Sequence, residues 1–235
     1  MKLLAIDTSG PVCGVAILTE EGLRAERLVQ NKLTHSVNLL PMIDSAFQDA
    51  GLTIADMDRL AAVTGPGSFT GVRIGVSTLK GLAHGANKPC VAVNALEAMA
   101  AGVGGFDGVV CPIQDARAGQ VYGAAFHTAM GERPKRLMAD TPIRLEDYAE
   151  QLRGIGDRFL FLGDGMPVHR RRIQELLGDT AVFAPAHQAS LRPGAAAWLA
   201  SLETEELTYT ELQPLYLRAP SAERNRRLME AAHAE

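Results

Sequence analysis

Two aspartates are placed where they could hold a magnesium ion and a phosphate group. Asp7 closes the first predicted strand and is followed by Thr8 and Ser9, while Asp115 closes a later strand two residues before Arg117. Carboxylates are ligands of magnesium, and successive backbone N–H groups in a turn bind anions. An aspartate at the end of a strand is equally typical of a local turn in which its side chain accepts a backbone hydrogen bond. The sequence leaves both interpretations open.

The densest glycine pattern is a turn that runs directly into a predicted helix, Gly65-Pro66-Gly67-Ser68-Phe69-Thr70-Gly71-Val72-Arg73-Ile74-Gly75. A helix that begins in such a turn presents backbone N–H groups that can bind an anion. The glycine spacing is one residue longer than the dinucleotide fingerprint, and no Gly-Lys-Ser/Thr follows as it would in a P-loop. We therefore favour a strand-to-helix turn capped by Ser68.

Two glycines inside that helix predict a close contact. Gly71 and Gly75 together lower helix stability by up to about 2 kcal/mol relative to alanine. Because they lie four residues apart on one face, they let another element approach closely, either within this chain or in another one. Phe69 and Arg73 lie beside this face, and an aromatic residue with an arginine is a combination enriched in protein interfaces.

The histidines, serines and cysteines form no recognisable catalytic pattern. No two of the six histidines lie three or four residues apart, so a helical zinc motif is absent. The Gly-x-Ser-x-Gly nucleophile motif is also missing. Cys13, Cys90 and Cys111 stand among apolar residues, as buried free thiols do. The sequence therefore predicts no catalytic residue and no metal site.

The composition is that of a globular chain. Its 235 residues are 47% hydrophobic and 21% charged, and the net charge of −4 disfavours a large surface for neutralising phosphates. No apolar run is long enough to span a bilayer, and Asp7 ends the first apolar run too early for a signal peptide, so we expect a cytoplasmic protein. Four arginines between positions 218 and 227 are interpreted as a solvated tail, with RNA contact as the minor alternative.

Strand and helix patterns predict the same order of elements twice. Three strand-like segments between Leu3 and Val29 precede a helix, a strand, a helix, a strand and a helix, and a similar series follows the glycines at positions 102–108. Three antiparallel strands continued by strand–helix units are the ribonuclease H-like order, and two such units form the actin-like (ASKHA) architecture. We predict an α/β fold with mixed sheets, divided into units 1–105 and 106–235, with any nucleotide between the halves.

Six segments stand in a characteristic order. They are Leu4-Ala5-Ile6-Asp7-Thr8-Ser9, Thr34-His35 leading to Leu40-Pro41-Met42-Ile43, the glycine-rich turn, Asp115-Ala116-Arg117 with Gly119-Gln120-Val121-Tyr122, Gly163-Asp164-Gly165, and Pro214-Leu215-Tyr216-Leu217-Arg218. Together they closely resemble the bacterial TsaB (YeaZ-like) family of tRNA threonylcarbamoyladenosine biosynthesis proteins. The resemblance spans nearly the whole chain, and the glycine-proline motif is its most specific part.

The resemblance implies a non-catalytic protein that binds a catalytic relative, TsaD. In the family, TsaD transfers a threonylcarbamoyl group from an adenylate made by TsaC to adenosine 37 of tRNAs that read codons beginning with A. The ATPase TsaE joins the TsaB–TsaD pair. TsaD-like members carry a His-x-x-x-His metal motif on a helix, whereas the comparable segment 93–100 has no histidine here. Contact with tRNA is therefore expected to be indirect.

The resemblance also implies a partner surface on the first two helices. It would include His35, Leu39, Ile43, Phe69, Thr70, Gly71, Arg73, Ile74 and Gly75. Without TsaD the same surface would form a homodimer, and Gly75→Leu is expected to abolish TsaD binding while the fold is retained. On this interpretation no cofactor is required, and residual binding of Mg-ATP or Mg-ADP stays open.

A different class of function is an ATP-using actin-like enzyme, an acyl- or phosphotransferase, that holds its nucleotide between the turns at Asp7 and Asp115. A peptidase is disfavoured because the sequence lacks a metal or nucleophile pattern.

Overall fold

The computed structural model describes residues 1–31 and 33–218, and its elements follow the predicted order. The first half contains β1 (Leu3–Asp7), β2 (Cys13–Thr19), β3 (Gly22–Val29), α1 (His35–Ala50), β4 (Arg59–Gly65), α2 (Phe69–Ala86), β5 (Cys90–Asn94) and α3 (Ala95–Ala101). The second half contains β6 (Val109–Arg117), β7 (Gln120–His127), β8 (Lys135–Arg144), α4 (Leu145–Arg153), β9 (Phe159–Leu162), α5 (Gly165–Leu177), β10 (Ala181–Phe183) and α6 (Pro193–Leu202).

Each half builds one five-stranded mixed sheet. The strand orders are β3-β2-β1-β4-β5 and β10-β9-β6-β7-β8. In both sheets a three-stranded antiparallel meander continues into two parallel strands, with β1 and β6 in the middle. This is the ribonuclease H-like order twice over, so the prediction of an α/β actin-like architecture is confirmed.

Alternate residues of the central strand face two different cores, as expected for a sheet that is covered on both sides. Leu4 and Ile6 of β1 pack into a core with α1 and α2. Leu3 and Ala5 pack into a second core that lies between the two sheets and contains α3 and α6. A third core joins the outer face of the second sheet to α4 and α5. Helices α3 and α6 therefore lie in the core between the two sheets.

The long helices begin and end where the sequence indicates. In α1 the buried residues Leu39, Ile43 and Ala46 recur at helical spacing, and Gly51 caps the helix in the left-handed conformation at φ 65°. The helix starts at His35, so Pro41 lies inside it. The Asn94 side chain accepts a hydrogen bond from the backbone N–H of Glu97 and is the N-cap of α3.

The chain returns to the first sheet after β10. Helix α6 packs against β1 and β2, where Gly14 leaves room for the ring of Pro193. The Glu26 side chain of β3 accepts a hydrogen bond from the backbone N–H of Gly194, 2.9 Å away, and pairs with Arg192. Beyond α6, Leu207 exchanges backbone hydrogen bonds with Cys90. The two sheets divide near residue 105, whereas α6 and the following segment pack against the first half.

None of the helices among the described residues is long and apolar enough to cross a lipid bilayer. Arg224, Arg226 and Arg227, which the sequence places in a basic tail, lie outside the described residues.

Candidate functional site

The glycine-rich turn packs directly onto the turn that follows β1. The backbone N–H of Ser68 donates to the carbonyl oxygen of Ser9 at 2.7 Å, and the Thr8 hydroxyl donates to the carbonyl oxygen of Gly71 at 2.7 Å. A Cβ atom at Gly67 would overlap the carbonyl oxygen of Ser9, and one at Gly71 would overlap that of Thr8. Glycine is therefore required here by the close approach of two backbone segments.

The same contacts provide the predicted helix start. The Ser68 side chain accepts a hydrogen bond from the backbone N–H of Gly71 at 3.2 Å, so Ser68 is the N-cap of α2. The favoured interpretation of this segment as a capped strand-to-helix turn is confirmed.

The first candidate nucleotide-binding turn is packed against the start of α2. Asp7, Thr8 and Ser9 are all buried, and none of them lines the cleft between the halves. Asp7 accepts a hydrogen bond from the backbone N–H of Ser9 at 2.8 Å, and burial raises the pKa of this carboxyl group above its ordinary value. The Thr8 hydroxyl and the Ser9 carbonyl oxygen are held by the start of α2, and the assignment of these three residues to a nucleotide site stays a prediction.

The cleft itself lies between the two halves and has a volume of about 510 Å³. Its walls come from Gly10 and Pro11, from the start of α2 at 66–70, from the second turn at 114–117, and from the segment 215–218. His35, Tyr122 and Asp164 complete the lining. Asp115 and Arg117 are therefore the two members of the predicted nucleotide site that reach the cleft.

The second turn repeats the aspartate hydrogen bond of the first. Asp115 accepts a hydrogen bond from the backbone N–H of Arg117 at 2.9 Å, and Arg117 has a positive φ of 64°. The His169 ring nitrogen Nε2 lies 3.6 Å from the Asp115 carboxylate. Both Asp7 and Asp115 thus form the local turn with a backbone hydrogen bond that the sequence left open as an alternative to magnesium binding.

Several buried polar atoms around the cleft have no hydrogen-bond partner among the described residues. Gln114 is only 2% exposed, and both its amide nitrogen and its amide oxygen are unpartnered. The Asp164 Oδ1 atom is also buried and has no hydrogen-bond partner among these residues. Burial, together with the nearby charges of Asp115 and Asp7, raises the pKa of Asp164 to about 6. Unpaired buried polar groups are costly, so these atoms mark the part of the cleft best suited to a polar ligand.

The candidate partner residues on α1 and α2 separate into two groups. Leu39, Ile43, Gly71 and Gly75 are buried inside the chain. A Cβ atom at Gly75 would overlap the Thr8 hydroxyl, so the close contact that the two glycines predict is made within the chain. The interpretation of Leu39, Gly71 and Gly75 as contact surface is corrected accordingly, whereas Ile43 still lines an apolar groove beside α1.

The other five candidate residues remain near the surface. Thr70 and Arg73 are exposed, whereas Phe69, Ile74 and His35 are partly buried. The His35 ring nitrogen Nε2 lies 2.9 Å from the Gly10 carbonyl oxygen, and this contact connects the start of α1 to the first turn.

The structure reveals apolar surface that the sequence analysis did not single out. Val37 and Leu40 on α1 are 59% and 55% exposed, and Leu33 just before the helix is also exposed. Beside them a groove of about 620 Å³ is lined by apolar side chains of α1, the following loop and α2: Leu40, Ile43, Phe47, Leu52, Ile54 and Leu82. The available signal was that Val37 and Leu40 fall three residues apart and outside the buried stripe of α1.

Among the described residues, no group of three or more histidine, cysteine, aspartate or glutamate side chains could hold a metal ion. Cys13, Cys90 and Cys111 are buried free thiols, as predicted. Burial raises the pKa of Cys13 to about 11 and raises that of Cys111 further.

The sequence of this chain matches a known protein family and several of its members. Residues 30–226 match the family described as TsaD, tRNA N6-adenosine threonylcarbamoyltransferase. The chain is 37% identical to the tRNA threonylcarbamoyladenosine biosynthesis protein TsaB of Bacillus subtilis, over 95% of this chain and 96% of that protein. It is 31% identical to the protein of the same name from Escherichia coli, over 93% and 95% of the two chains.

A solved structure supports the same placement. The crystal structure of an uncharacterised protein with similarity to peptidase YeaZ from Pseudomonas aeruginosa matches with a TM-score of 0.75 and 27% identity, over 92% of this chain and 99% of that one. A YeaZ structure from the same organism matches with a TM-score of 0.74 and 26% identity, over the same shares of the two chains. With relatives above 30% identity along almost its whole length, the chain belongs to the TsaB family, within the wider family that includes TsaD.

Proposed function

We propose that this chain is a non-catalytic, cytoplasmic partner of TsaD in tRNA threonylcarbamoyladenosine biosynthesis. It binds and activates TsaD, which modifies adenosine 37 of tRNAs that read ANN codons, and TsaE joins the resulting pair. The contact of this chain with tRNA is indirect. The part in the biosynthesis and the choice of TsaD as partner rest on membership of the TsaB family, and the location of the contact rests on the surface of α1 and α2.

The observation that carries the proposal is the exposed apolar surface of the first half. Val37 and Leu40 expose large apolar side chains on one face of α1, beside the apolar groove that reaches Leu82 of α2. Contiguous exposed apolar surface on a globular protein is typical of a protein–protein contact site. We propose that TsaD covers this face and that a second copy of the chain covers it when TsaD is absent.

The turn after β1 is part of a stable scaffold. The Thr8 hydroxyl and the Ser9 carbonyl oxygen are hydrogen-bonded to the start of α2, which fixes this turn to the helix. A chain that binds a catalytic relative needs a stable scaffold and a contact face, and this packing provides the first of these.

The central experiment is a reconstituted modification assay. It contains TsaC, TsaD, TsaE, tRNA, threonine, bicarbonate and ATP, and is run with and without this chain. Omission should stop formation of threonylcarbamoyladenosine. Leu40→Asp should also reduce the product, because it places a charge in the apolar contact face. Leu137→Asp is the matched control, since Leu137 is an exposed leucine on β8 of the second half.

A direct binding measurement tests separately whether this chain binds TsaD and whether the apolar face of α1 makes the contact. Size-exclusion chromatography should show a complex of wild-type chain with TsaD, loss of that complex for Leu40→Asp, and loss of the homodimer in the same variant. Full activity without the chain would contradict the partner function. Unchanged binding by Leu40→Asp would contradict the assignment of the surface.

A second candidate is nucleotide binding in the cleft, with or without an acyl- or phosphotransfer activity. The observation in its favour is the unpartnered amide of Gln114 in a cleft that Asp115 and Arg117 also line. Titration calorimetry with Mg-ATP and Mg-ADP tests it on the isolated chain. Stoichiometric binding that Gln114→Leu weakens would favour this candidate, and the absence of heat at millimolar nucleotide would exclude it.

A further inference from the structure

The segment that follows α6 brings an aromatic side chain to the surface of α2. The backbone N–H of Leu215 donates to the Thr64 carbonyl oxygen at 2.7 Å, and a Cβ atom at Gly65 would lie only 2.8 Å from the Leu215 carbonyl oxygen. Arg218 reaches across to the Ala116 carbonyl oxygen at 3.2 Å. These contacts hold residue 216 beside the first turn of α2, although more than 140 residues separate them in sequence.

Phe69, Arg73 and Tyr216 form a single stack, which we call the arginine stack. The Phe69 and Tyr216 rings are stacked, with centroids 4.8 Å apart and an angle of 28° between their planes. The Arg73 guanidinium lies 3.9 Å from the Phe69 ring centroid, and its Nε donates a hydrogen bond of 2.7 Å to the Tyr216 hydroxyl oxygen. Stacking on an aromatic face and a hydrogen bond to Nε together restrict the orientation of an arginine that is otherwise exposed.

The orientation leaves the outer half of the guanidinium available. The recorded hydrogen bond uses Nε, and no carboxylate of the described residues lies within 4 Å of the Arg73 nitrogens. Most exposed arginines among the described residues instead pair with a neighbouring acid, such as Arg153 with Glu150 and Arg171 with Glu175. A guanidinium whose orientation is set in advance loses less conformational entropy when it forms a bidentate pair.

We propose that the arginine stack is a binding hot spot for TsaD, in which Arg73 pairs with a carboxylate on the TsaD surface. The inference rests on the proposed function, and it adds the chemistry of the contact and the part played by Tyr216. We assign the partner group to a protein carboxylate, because α1, which packs against α2, exposes the apolar side chains of Val37 and Leu40, and because the chain carries a net charge of −4. Arg117 and Arg218 line the cleft beside Phe69 and Tyr216, so an RNA phosphate is the competing outcome, which a measurement of tRNA binding detects.

The test measures the affinity of the full chain for TsaD by calorimetry at several salt concentrations. Arg73→Gln should weaken binding roughly thirtyfold and reduce its salt dependence, because a charge-assisted pair at a hot spot is removed. Arg73→Lys should recover only part of the loss, since an ammonium group cannot form the bidentate pair. Tyr216→Phe should weaken binding about threefold to tenfold, because Arg73 loses the group that orients it while the stack remains.

Arg171→Gln is the matched control, because Arg171 is a highly exposed arginine on α5 of the other half. It should leave the affinity for TsaD unchanged. Circular dichroism and thermal unfolding of each variant show whether the fold is kept, and Arg73→Lys provides the conservative variant if Arg73→Gln unfolds.

Two results would overturn the inference. The first is an Arg73→Gln variant that binds TsaD within twofold of wild type. The second is an Arg73→Gln variant that weakens tRNA binding by the complex more than it weakens TsaD binding, which would assign Arg73 to a phosphate. If wild-type chain does not bind TsaD at all, the proposed function fails instead, so the two failures are distinguished.

Discussion

The hydroxyl of Thr8 lies where a side chain at Gly75 would have to lie. It donates a hydrogen bond to the Gly71 carbonyl oxygen at 2.7 Å, and a Cβ atom at Gly75 would overlap the same hydroxyl. The start of α2 therefore packs against the turn after β1 with no space for even a methyl group. This contact explains why a helix accepts two interior glycines, and it shows that their role lies in the fold of the chain.

Gly75→Ala is expected to destabilise the protein by about 1–3 kcal/mol, because the added methyl group overpacks a buried contact. Gly81→Ala, in the same helix, is the control: its Cβ would have no neighbour within 4 Å, so it should stabilise the protein by up to about 1 kcal/mol. Urea unfolding measures both. Thr8→Ala combined with Gly75→Ala should cost less than the sum of the single changes, and equal stability of the two glycine variants would refute the packing argument.

The same contact changes how the effect of Gly75→Leu is interpreted. A leucine at this position would disrupt the turn after β1, so loss of TsaD binding by that variant would report misfolding. Leu40→Asp and Arg73→Gln replace it as tests of the surface, because both side chains are exposed.

Asp164 should make stability depend on pH. Burial, with Asp115 and Asp7 nearby, raises its folded-state pKa to about 6 from 3.8. The folded state therefore binds the Asp164 proton more tightly than the unfolded state. The contribution of this proton to the free energy of unfolding falls as the pH rises from about 4 to about 6. Asp164→Asn avoids this loss, so it should be more stable than wild type by up to about 3 kcal/mol near pH 7 and equal to it near pH 4.

Urea unfolding of wild type and Asp164→Asn across this pH range tests the prediction. A stability difference that stays constant with pH would show that the Asp164 carboxyl group does not titrate in this window.

Glu26 should contribute more to stability than an ordinary surface acid. It accepts a hydrogen bond from the backbone N–H of Gly194 at the start of α6 and pairs with Arg192. Glu26→Ala should lower the free energy of unfolding by about 1–2 kcal/mol, because it removes a helix-terminal hydrogen bond and a partly buried ion pair. Glu21→Ala removes only the exposed pair with Arg24 and should change stability by less than about 0.5 kcal/mol. Similar losses in chemical denaturation would argue against the capping role.

The three cysteines should not react with a thiol reagent in the native state. Cys13, Cys90 and Cys111 are buried, and burial raises the pKa of each thiol, so little thiolate is present or accessible near neutral pH. Addition of Ellman's reagent to the native protein should release no colour on the timescale of minutes, and three thiols should react in denaturant. Rapid reaction of one thiol without denaturant would show that its site opens.

Local sequence signals were sufficient for the elements. The apolar stripe of α1 ending at Gly51, the Ser68 cap of α2 and the Asn94 cap of α3 each depend on residues within a few positions of one another. Such signals act through nearest-neighbour backbone geometry, so they can be read without knowledge of the fold. The repeated order of strands and helices then restricts the topology to the ribonuclease H-like sheets.

The candidate site could be predicted only in part. Asp115 and Arg117 line the cleft as expected, whereas Asp7, Thr8 and Ser9 are buried. Thr8 and Ser9 are hydrogen-bonded to the start of α2, more than 55 residues later in the chain. The unpartnered amide of Gln114 gave no sequence signal, because a glutamine in a strand is ordinary unless its surroundings are known.

The sequence by itself determined the order of the elements, their caps and the family. Only the tertiary structure decided which face of α2 is internal and which is free. Gly71 and Gly75 face Thr8, while Arg73 on the other side is oriented by Tyr216 from the far end of the chain. The reason is physical: helical spacing shows which residues share a face, but which segment covers that face depends on contacts between residues distant in sequence.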